Sequence, residues 1–567
     1  MNIKITDFKY LFDGKDATLA VQEAVRLCGE NPGATLDLCG ETLHFYGKYA
    51  FEKEYYVSNN DYSKKSIIFP LLNMKDITVD GKGAELLFHG EVVPFVIDGS
   101  ENIVLKDFKV DYPQPFFFQA DIIEAGDNYI EVEFDTREFN LRVKDREMVF
   151  FSPEDKWEIT LDKVLVTEFD TDKVAPSAYI PPYFIYLPEK SDGSFLEPMY
   201  RYITAYQLSE NKIRFEGDFG HHHIAGNKLV CTLGLGRKCP GIFGTRSKDI
   251  VIKDVTLYQT AAMGVICQLC ENVTLEGVKA MPREGSGRFL SVSADATHFV
   301  NCWGTVRYVG CKFVNMLDDA GNVHGIYTKF VRKTGDRSVL LTFGHYQQRG
   351  LNLYDEGDVI HIADNRDMTF VAKLTVKKSY LISGDFVQVE FYEELPELLE
   401  GFVFENRTKM PELYINGCES GYNRPRGFLP TTWKKTVITN NVFYNMVFGL
   451  HFAGDSNDWF ESGPVNDVLI KGNKFKNAAY AGGAAIQIDP HVLSGKTPYH
   501  RNIVIEDNEF EMHEERFLYA RFVEGLVFRN NTYIENSSLP SQDKIGDNGI
   551  DVDDTCVNCA IEDVKRS

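Results

Sequence analysis

The chain lacks a stretch of 18 consecutive apolar residues, so no transmembrane helix is expected. It also lacks a basic segment followed by an apolar run at Met1-Asn2-Ile3-Lys4-Ile5-Thr6, which excludes an ordinary secretory signal in this chain. With Met1 as the native start the expectation is a cytoplasmic protein; removal of a leader would make it a secreted one. Positive charge is scarce: 60 Lys and Arg against 83 Asp and Glu leave a net charge of −23. A field of that sign repels phosphate backbones and anionic lipid surfaces, so neither nucleic acid nor membrane is an expected partner, and sulfated or uronate polymers fit poorly. Neutral sugars are not penalised. Cysteine offers no small disulfide framework, because the count is an odd 11. Free thiols are the expectation, with Cys267-x-x-Cys270 and Cys556-x-x-Cys559 read as thiols rather than a zinc site.

Aromatic residues and glycine are abundant: 28 Tyr, 41 Phe and 45 Gly in 567 residues. Many turns and many aromatics favour an all-β chain. One short pattern recurs, a polar residue, three residues of β-type alternation, then Asp, Asn or Gly. It appears as Asp76-Ile77-Thr78-Val79-Asp80-Gly81, Asn102-Ile103-Val104-Leu105-Lys106-Asp107, Asp249-Ile250-Val251-Ile252-Lys253-Asp254 and Asn272-Val273-Thr274-Leu275-Glu276-Gly277. Later copies start at Thr436, Asp467 and Asn502, and two run on into Asn473-Lys474-Phe475 and Asn508-Glu509-Phe510. The offsets are 26 from Asp76 to Asn102, 23 from Asp249 to Asn272 and 35 from Asp467 to Asn502. A base period near 23, lengthened by loops, is the mark of a β-solenoid whose coils bury their apolar sides only by stacking. The Asn or Asp at each bend suits a left-handed backbone.

The expected fold is all-β: a right-handed parallel β-helix with two inserted antiparallel β-barrel modules and a short N-terminal capping helix. Residues 1–115 hold the cap and first coils. The cap is an amphipathic helix from Asp16 to about Val25, with Asp16 or Thr18 at its N-cap. Longer alternating runs mark inserted modules at 116–238 and 327–405. Coils resume at 239–326 and again at 406–567, which includes the tail. Exposed inserts on an acidic solenoid are compatible with a homodimer.

The chemistry is expected on two consecutive coils. Ser291-Val292-Ser293-Ala294-Asp295-Ala296-Thr297-His298 lies one period before Asn315-Met316-Leu317-Asp318-Asp319-Ala320-Gly321-Asn322-Val323-His324-Gly325, with 24 residues from Asp295 to Asp319. Carboxylates one period apart stack about 4.8 Å apart along the axis. Close like charges drive their pKa values apart, giving one protonated acid beside one ionised base, as glycoside hydrolysis requires. A solvated turn and a calcium site are the competing readings of an Asp-Asp pair. His298 and His324 stand near the carboxylates in sequence.

Further candidates for sugar contact are Trp459, by stacking on a pyranose face, and Asp455, Glu461 and His324, by hydrogen bonds. Arg424 and Arg426 fit a fork onto sugar oxygens or onto a catalytic carboxylate. His221-His222-His223 lies in an insert without matching carboxylates and reads as structural.

The stretch Gly454-Asp455-Ser456-Asn457-Asp458-Trp459-Phe460-Glu461-Ser462-Gly463-Pro464-Val465, with Asp111-Tyr112-Pro113-Gln114-Pro115-Phe116 and Asn423-Arg424-Pro425-Arg426-Gly427, resembles the α-1,3-galactosidases of glycoside hydrolase family 110. The resemblance covers most of the chain. It implies a β-helix with inserted barrels, no cofactor and no metal, and inversion at the anomeric carbon. It also implies a terminal α-galactosyl glycan as substrate, of blood-group-B-type branched or linear structure. The family's essential aspartates correspond to Asp295, Asp318 and Asp319. By analogy with inverting pectin-degrading β-helix hydrolases, Asp318 is the acid while Asp295 and Asp319 hold the water. Two other classes stay open on the residues alone, a β-helix polysaccharide lyase and a non-catalytic glycan-binding solenoid.

Overall fold

A computed structural model describes residues 1–153, 157–161, 163–186, 200–233, 237–513, 516–539 and 549–566. The scaffold is a parallel β-helix. Its strands form two long sheets, of 22 and 13 strands, in which successive coils pair in parallel register. Ile77 pairs with Ile103, Ile250 with Val273, and Val468 with Ile503. These pairs reproduce the 26-, 23- and 35-residue offsets of the repeat.

The bends are where the residue choice is most constrained. Asp76, Asn102, Asp249, Asn272, Asp467 and Asn502 all have φ between 51° and 65°, a region that Asn and Asp tolerate better than other side chains. One corner of the C-terminal coils adds a ladder. The backbone N–H of Asn441 donates to Asn473 Oδ1 at 3.0 Å, that of Asn473 to Asn508 Oδ1 at 2.9 Å, and that of Asn508 to Asn531 Oδ1 at 2.9 Å. Two positions along from each Asn, Phe443, Phe475 and Phe510 stack in the bore with ring centroids 5.0 Å apart. The recurring Asn-x-Phe therefore encodes one satisfied polar rung and one apolar rung per coil.

The N-terminal end is closed by the helix Thr18–Glu30, which buries Ala20, Val21, Ala24, Val25 and Cys28. Ala17, rather than Asp16 or Thr18, holds the N-cap. Asp16 sits one residue too early and accepts from the Thr18 backbone N–H at 2.9 Å instead.

Two modules interrupt the coils. Ile103 pairs with Ile250 across the first, and Val306 with Leu413 across the second. The first is a ring of strands between Phe117 and Leu233 that closes where Lys163–Asp170 meets Lys228–Leu233. One of its pairs, Tyr183–Tyr186 with Tyr200–Ser209, is parallel, where an all-antiparallel module is expected from the alternation. The second is a closed six-stranded barrel from Thr328 to Asn406. Cys267 and Cys270 are buried, and all eleven cysteines are free. His223 is buried between Tyr183 and Glu168. Among the described residues, no helix is long and apolar enough to cross a membrane.

Candidate active site

Strand Thr297–Val300 pairs in parallel with strand Gly321–Ile326, His298 opposite Asn322 and Val300 opposite His324. Extending that register places Asp295 level with Asp319. The ladder continues through the aspartates: Ala296 N–H donates to Asp319 O at 2.8 Å, and Gly264 N–H donates to Asp295 O at 2.9 Å. Gly321 pairs with Phe428 on the next coil, which puts Arg426 level with Asp319. Three successive coils thus deliver Asp295, the Asp318–Asp319 pair and Arg426 to one place. One carboxylate oxygen from each of Asp295, Asp318 and Asp319 lies within 4.8 Å of the others. The coils stack in register here.

Arg426 grips Asp319 with two bonds, Nε to Oδ1 at 2.7 Å and Nη2 to Oδ2 at 2.9 Å. That bidentate geometry is the one an ionised carboxylate makes. Arg237 Nη2 donates to Asp318 Oδ2 at 2.9 Å, and Arg424 and Arg426 each stand 3.8 Å from Asp318 Oδ1. Asp318 Oδ1 is buried and accepts no hydrogen bond. Asp295 and Asp319 are almost fully covered, whereas Asp318 keeps 13% of its side chain exposed.

The electrostatics separate the three acids. Burial and the neighbouring Asp318 push Asp295 up to about 7, against the pull of Arg237 and Arg426. Burial acts on Asp318 as well, but Arg424, Arg237 and Arg426 outweigh it and hold Asp318 below the usual carboxylate range. Burial, with the other two aspartates, pushes Asp319 well above the usual carboxylate range, against the downward pull of the Arg426 fork. Burial lowers His298 to about 4 and lowers His324 as well, so both rings are neutral at pH 7.

The other expected contacts divide. Glu461 reaches the site because strand Glu461–Ser462 pairs with Gly325 and Ile326. A Cβ at residue 325 would come within 2.5 Å of Ser462 Oγ, so a larger residue there would force the Ser462 hydroxyl to turn away. Glu461 keeps 18% of its side chain exposed and accepts from Asn59 at 2.8 Å and Asn322 at 3.2 Å. Glu461 is held below its usual range against the burial that raises it; its carboxylate faces the ring edges of His324 and His298 and accepts from Asn322. Trp459 is 41% exposed and packs on His345 with centroids 4.4 Å apart, leaving part of the indole open. Arg424 faces Asp318, and Arg426 is committed to Asp319.

His324 and Asp455 are placed differently from their expected sugar-binding roles. The His324 side chain has no exposed surface; its Nδ1 bonds Gly325 O at 2.7 Å and its Nε2 meets His298 at 2.9 Å. Asp455 accepts backbone N–H groups from Asn457, Asp458, Trp459 and Phe460. Its carboxylate shapes the loop that carries Trp459 and Glu461. Residues that sequence reasoning missed are Arg237, Asn59 and Asn322. Asn322 stood inside the quoted catalytic stretch. Arg237 and Asn59 come from distant segments and carry no local signal beyond their left-handed φ of 56° and 58°.

Two groups present the donor types of a metal site, Asp295–Asp318–Asp319 and His298–His324–Glu461. The first already faces the guanidinium groups of Arg237 and Arg426, which supply the cationic charge. In the second, His298 Nε2 and His324 Nε2 are 2.9 Å apart. Two nitrogens on one tetrahedral zinc stand roughly 3.3 Å apart, given Zn–N bonds of about 2.0–2.1 Å. The shorter spacing fits a hydrogen bond.

The class that the fold and site define is a parallel β-helix protein with two inserted barrels and a cluster of three aspartates answered by arginines. The sequence comparisons narrow it. Residues 118–229 match GLAA-B beta-barrel domain I and residues 338–401 match GLAA-B beta-barrel domain II. Alpha-1,3-galactosidase A of Shewanella woodyi is 31% identical over 549 residues, 95% of this chain and 87% of that protein. Alpha-1,3-galactosidase B of Phocaeicola vulgatus is 32% identical over 514 residues, 86% and 83%. Alpha-1,3-galactosidase B of Bacteroides thetaiotaomicron is 29% identical over 549 residues, 94% and 86%. The chain belongs to the α-1,3-galactosidase family, glycoside hydrolase family 110.

Proposed function

We propose that this protein is an exo-acting, inverting α-1,3-galactosidase that releases terminal galactose from glycans, including blood-group-B-type branched and linear structures. The observation that carries the reading is the set of three carboxyl groups on adjacent coils, each with an oxygen within 4.8 Å of the others. The family membership and the relatives' names support the substrate class.

Asp318 is the general acid: it is the least covered of the three, with 13% of its side chain exposed. Asp295 and Asp319 hold and deprotonate the water. Water oxygen bonds to C1 as the C1–O bond breaks; the leaving oxygen takes the proton from Asp318, and the water proton passes to the Asp295–Asp319 pair. In the empty site the resident proton is on Asp295, while arginines keep Asp318 ionised. Groups this close titrate as a unit, and their macroscopic pKa values belong to the cluster. Substrate binding moves the proton to Asp318. Glu461, Trp459 and Arg424 contact the sugar. Arg426 and Arg237 offset the negative charge of the cluster.

A second reading is favoured by one number. Acid and base in inverting enzymes are usually about 6.5–9.5 Å apart, whereas about 5–5.5 Å is typical of retaining enzymes. The facing oxygens, all within 4.8 Å of one another, are nearer the latter. NMR of the first product from an α-1,3-galactosyl disaccharide separates the two. β-Galactose appearing first supports inversion; α-galactose first establishes retention; unsaturated products or no release would defeat both.

A further inference from the structure

His298 and His324 are neither exposed nor in the reaction path, yet they form a directed string that ends on Asp295. His324 Nδ1 lies 2.7 Å from the carbonyl oxygen of Gly325. A carbonyl can only accept, so Nδ1 carries the hydrogen, and in the neutral ring Nε2 is an acceptor. His298 Nε2 faces that acceptor at 2.9 Å and must donate to it. A neutral His298 is then bare at Nδ1, which stands 2.5 Å from Asp295 Oδ2. The remaining hydrogen is on the carboxyl group. Direction is passed along the string from one backbone carbonyl, through two buried rings, to the acid.

We propose that His298, oriented by His324, is a positioning residue that holds the proton on the Oδ2 side of Asp295 and leaves Oδ1, which accepts from the Asp319 backbone N–H at 3.4 Å, to face the water. The inference rests on the reading of Asp295 as part of the water-holding pair. Five other charged groups face Asp295: Asp318, Asp319, Arg237, Arg426 and Glu461. They set a background that His298 and His324 variants leave in place. Accepting a hydrogen bond from the neutral acid favours that form. Burial already lifts Asp295 to about 7, and the string adds to the lift.

The test has two arms. In the free protein with 15N-labelled histidine, long-range proton–nitrogen correlation reports the tautomer. The expected result is His298 protonated at Nε2 and bare at Nδ1, and His324 protonated at Nδ1. A hydrogen on His298 Nδ1 with none on Asp295, or one equivalent of bound zinc by elemental analysis, would overturn the proposal. This arm needs no turnover, so it can fail or succeed whatever the reaction proves to be.

In the second arm, the pH dependence of kcat/KM is compared for wild type, His324→Leu and His324→Gln. Leucine removes the acceptor, frees His298 to turn Nδ1–H toward Asp295, and moves the basic-side ionisation of Asp295 about one pH unit lower. Glutamine supplies a carbonyl acceptor in place of Nε2 and keeps the limb within a few tenths of wild type. Equal limbs in all three proteins would overturn the proposal. If His324→Leu fails to fold, His298→Asn is read in its place with the same expected shift.

Discussion

The asparagine ladder of the C-terminal coils and the stack in the catalytic coils are built on the same strand, bend and strand, but they treat buried polar groups in opposite ways. In the ladder, Asn441, Asn473, Asn508 and Asn531 satisfy one another coil by coil. Each copy needs only the identical copy above and below. In the catalytic coils the stacked positions hold Asp295, Asp319 and Arg426, which are unlike one another. Charges replace amides, and Asp318 Oδ1 and Asn322 Oδ1 are left buried without a partner. Repetition satisfies polar groups cheaply, and the site is where repetition is given up. That is why the catalytic coils recruit Arg237 and Asn59 from segments far outside the repeat.

Breaking the unlike stack is expected to have the largest effect. Arg426→Leu leaves Asp319 buried without its fork and beside two other carboxyls. Galactose release should fall by about 10²–10⁴, as measured by initial rates on an α-1,3-galactosyl disaccharide. Breaking the like stack should act on stability alone. Asn473→Ala orphans groups on both neighbouring coils and should cost ~2 kcal/mol, read as a lower urea midpoint, with kcat unchanged. An equal loss of activity would mean that the two regions are not separable.

The third prediction uses pH. Asp295 is raised, so between its unfolded value near 4 and about 7 the folded protein binds a proton that the unfolded chain does not. Asp295 therefore removes stability as pH rises through that window. Asp295→Asn cannot ionise and can still donate to His298. Its melting temperature relative to wild type should climb from pH 4 to pH 7 and level off above, although the variant is inactive. A flat difference would contradict the raised acid. The smallest effect is expected at the surface of the ladder coils. Lys471→Ala removes exposed pairs with Glu506 and Asp507 and should leave the urea midpoint essentially unchanged.

The same contrast decides what was legible in the sequence. The repeat was readable because each bend in the β-helix imposes the same left-handed φ and selects Asn, Asp or Gly at a fixed offset. The 24-residue step from Asp295 to Asp319 was readable because the site still obeys the coil register. The partners that answer those acids follow no register. Asn59 meets Glu461 from 402 residues away, a contact that no local pattern encodes. His324 stood near the carboxylates in sequence, but nothing there gave a sign that its ring would be fully buried. Asp455 shows the converse. Its place in a distinctive motif drew a ligand role, while its carboxylate caps the backbone of its own loop.

The central claim is that aspartates on neighbouring coils jointly break a galactosidic bond. Asp318→Asn and Asp319→Asn test it most directly, assayed separately for galactose release from a terminal α-1,3-galactosyl glycan, with melting curves alongside. The account predicts that each variant folds and loses turnover by about 10²–10⁴, and that Asp318→Asn keeps far more activity on an aryl galactoside whose leaving group needs no acid. Near-normal release from the glycan by both variants would contradict it.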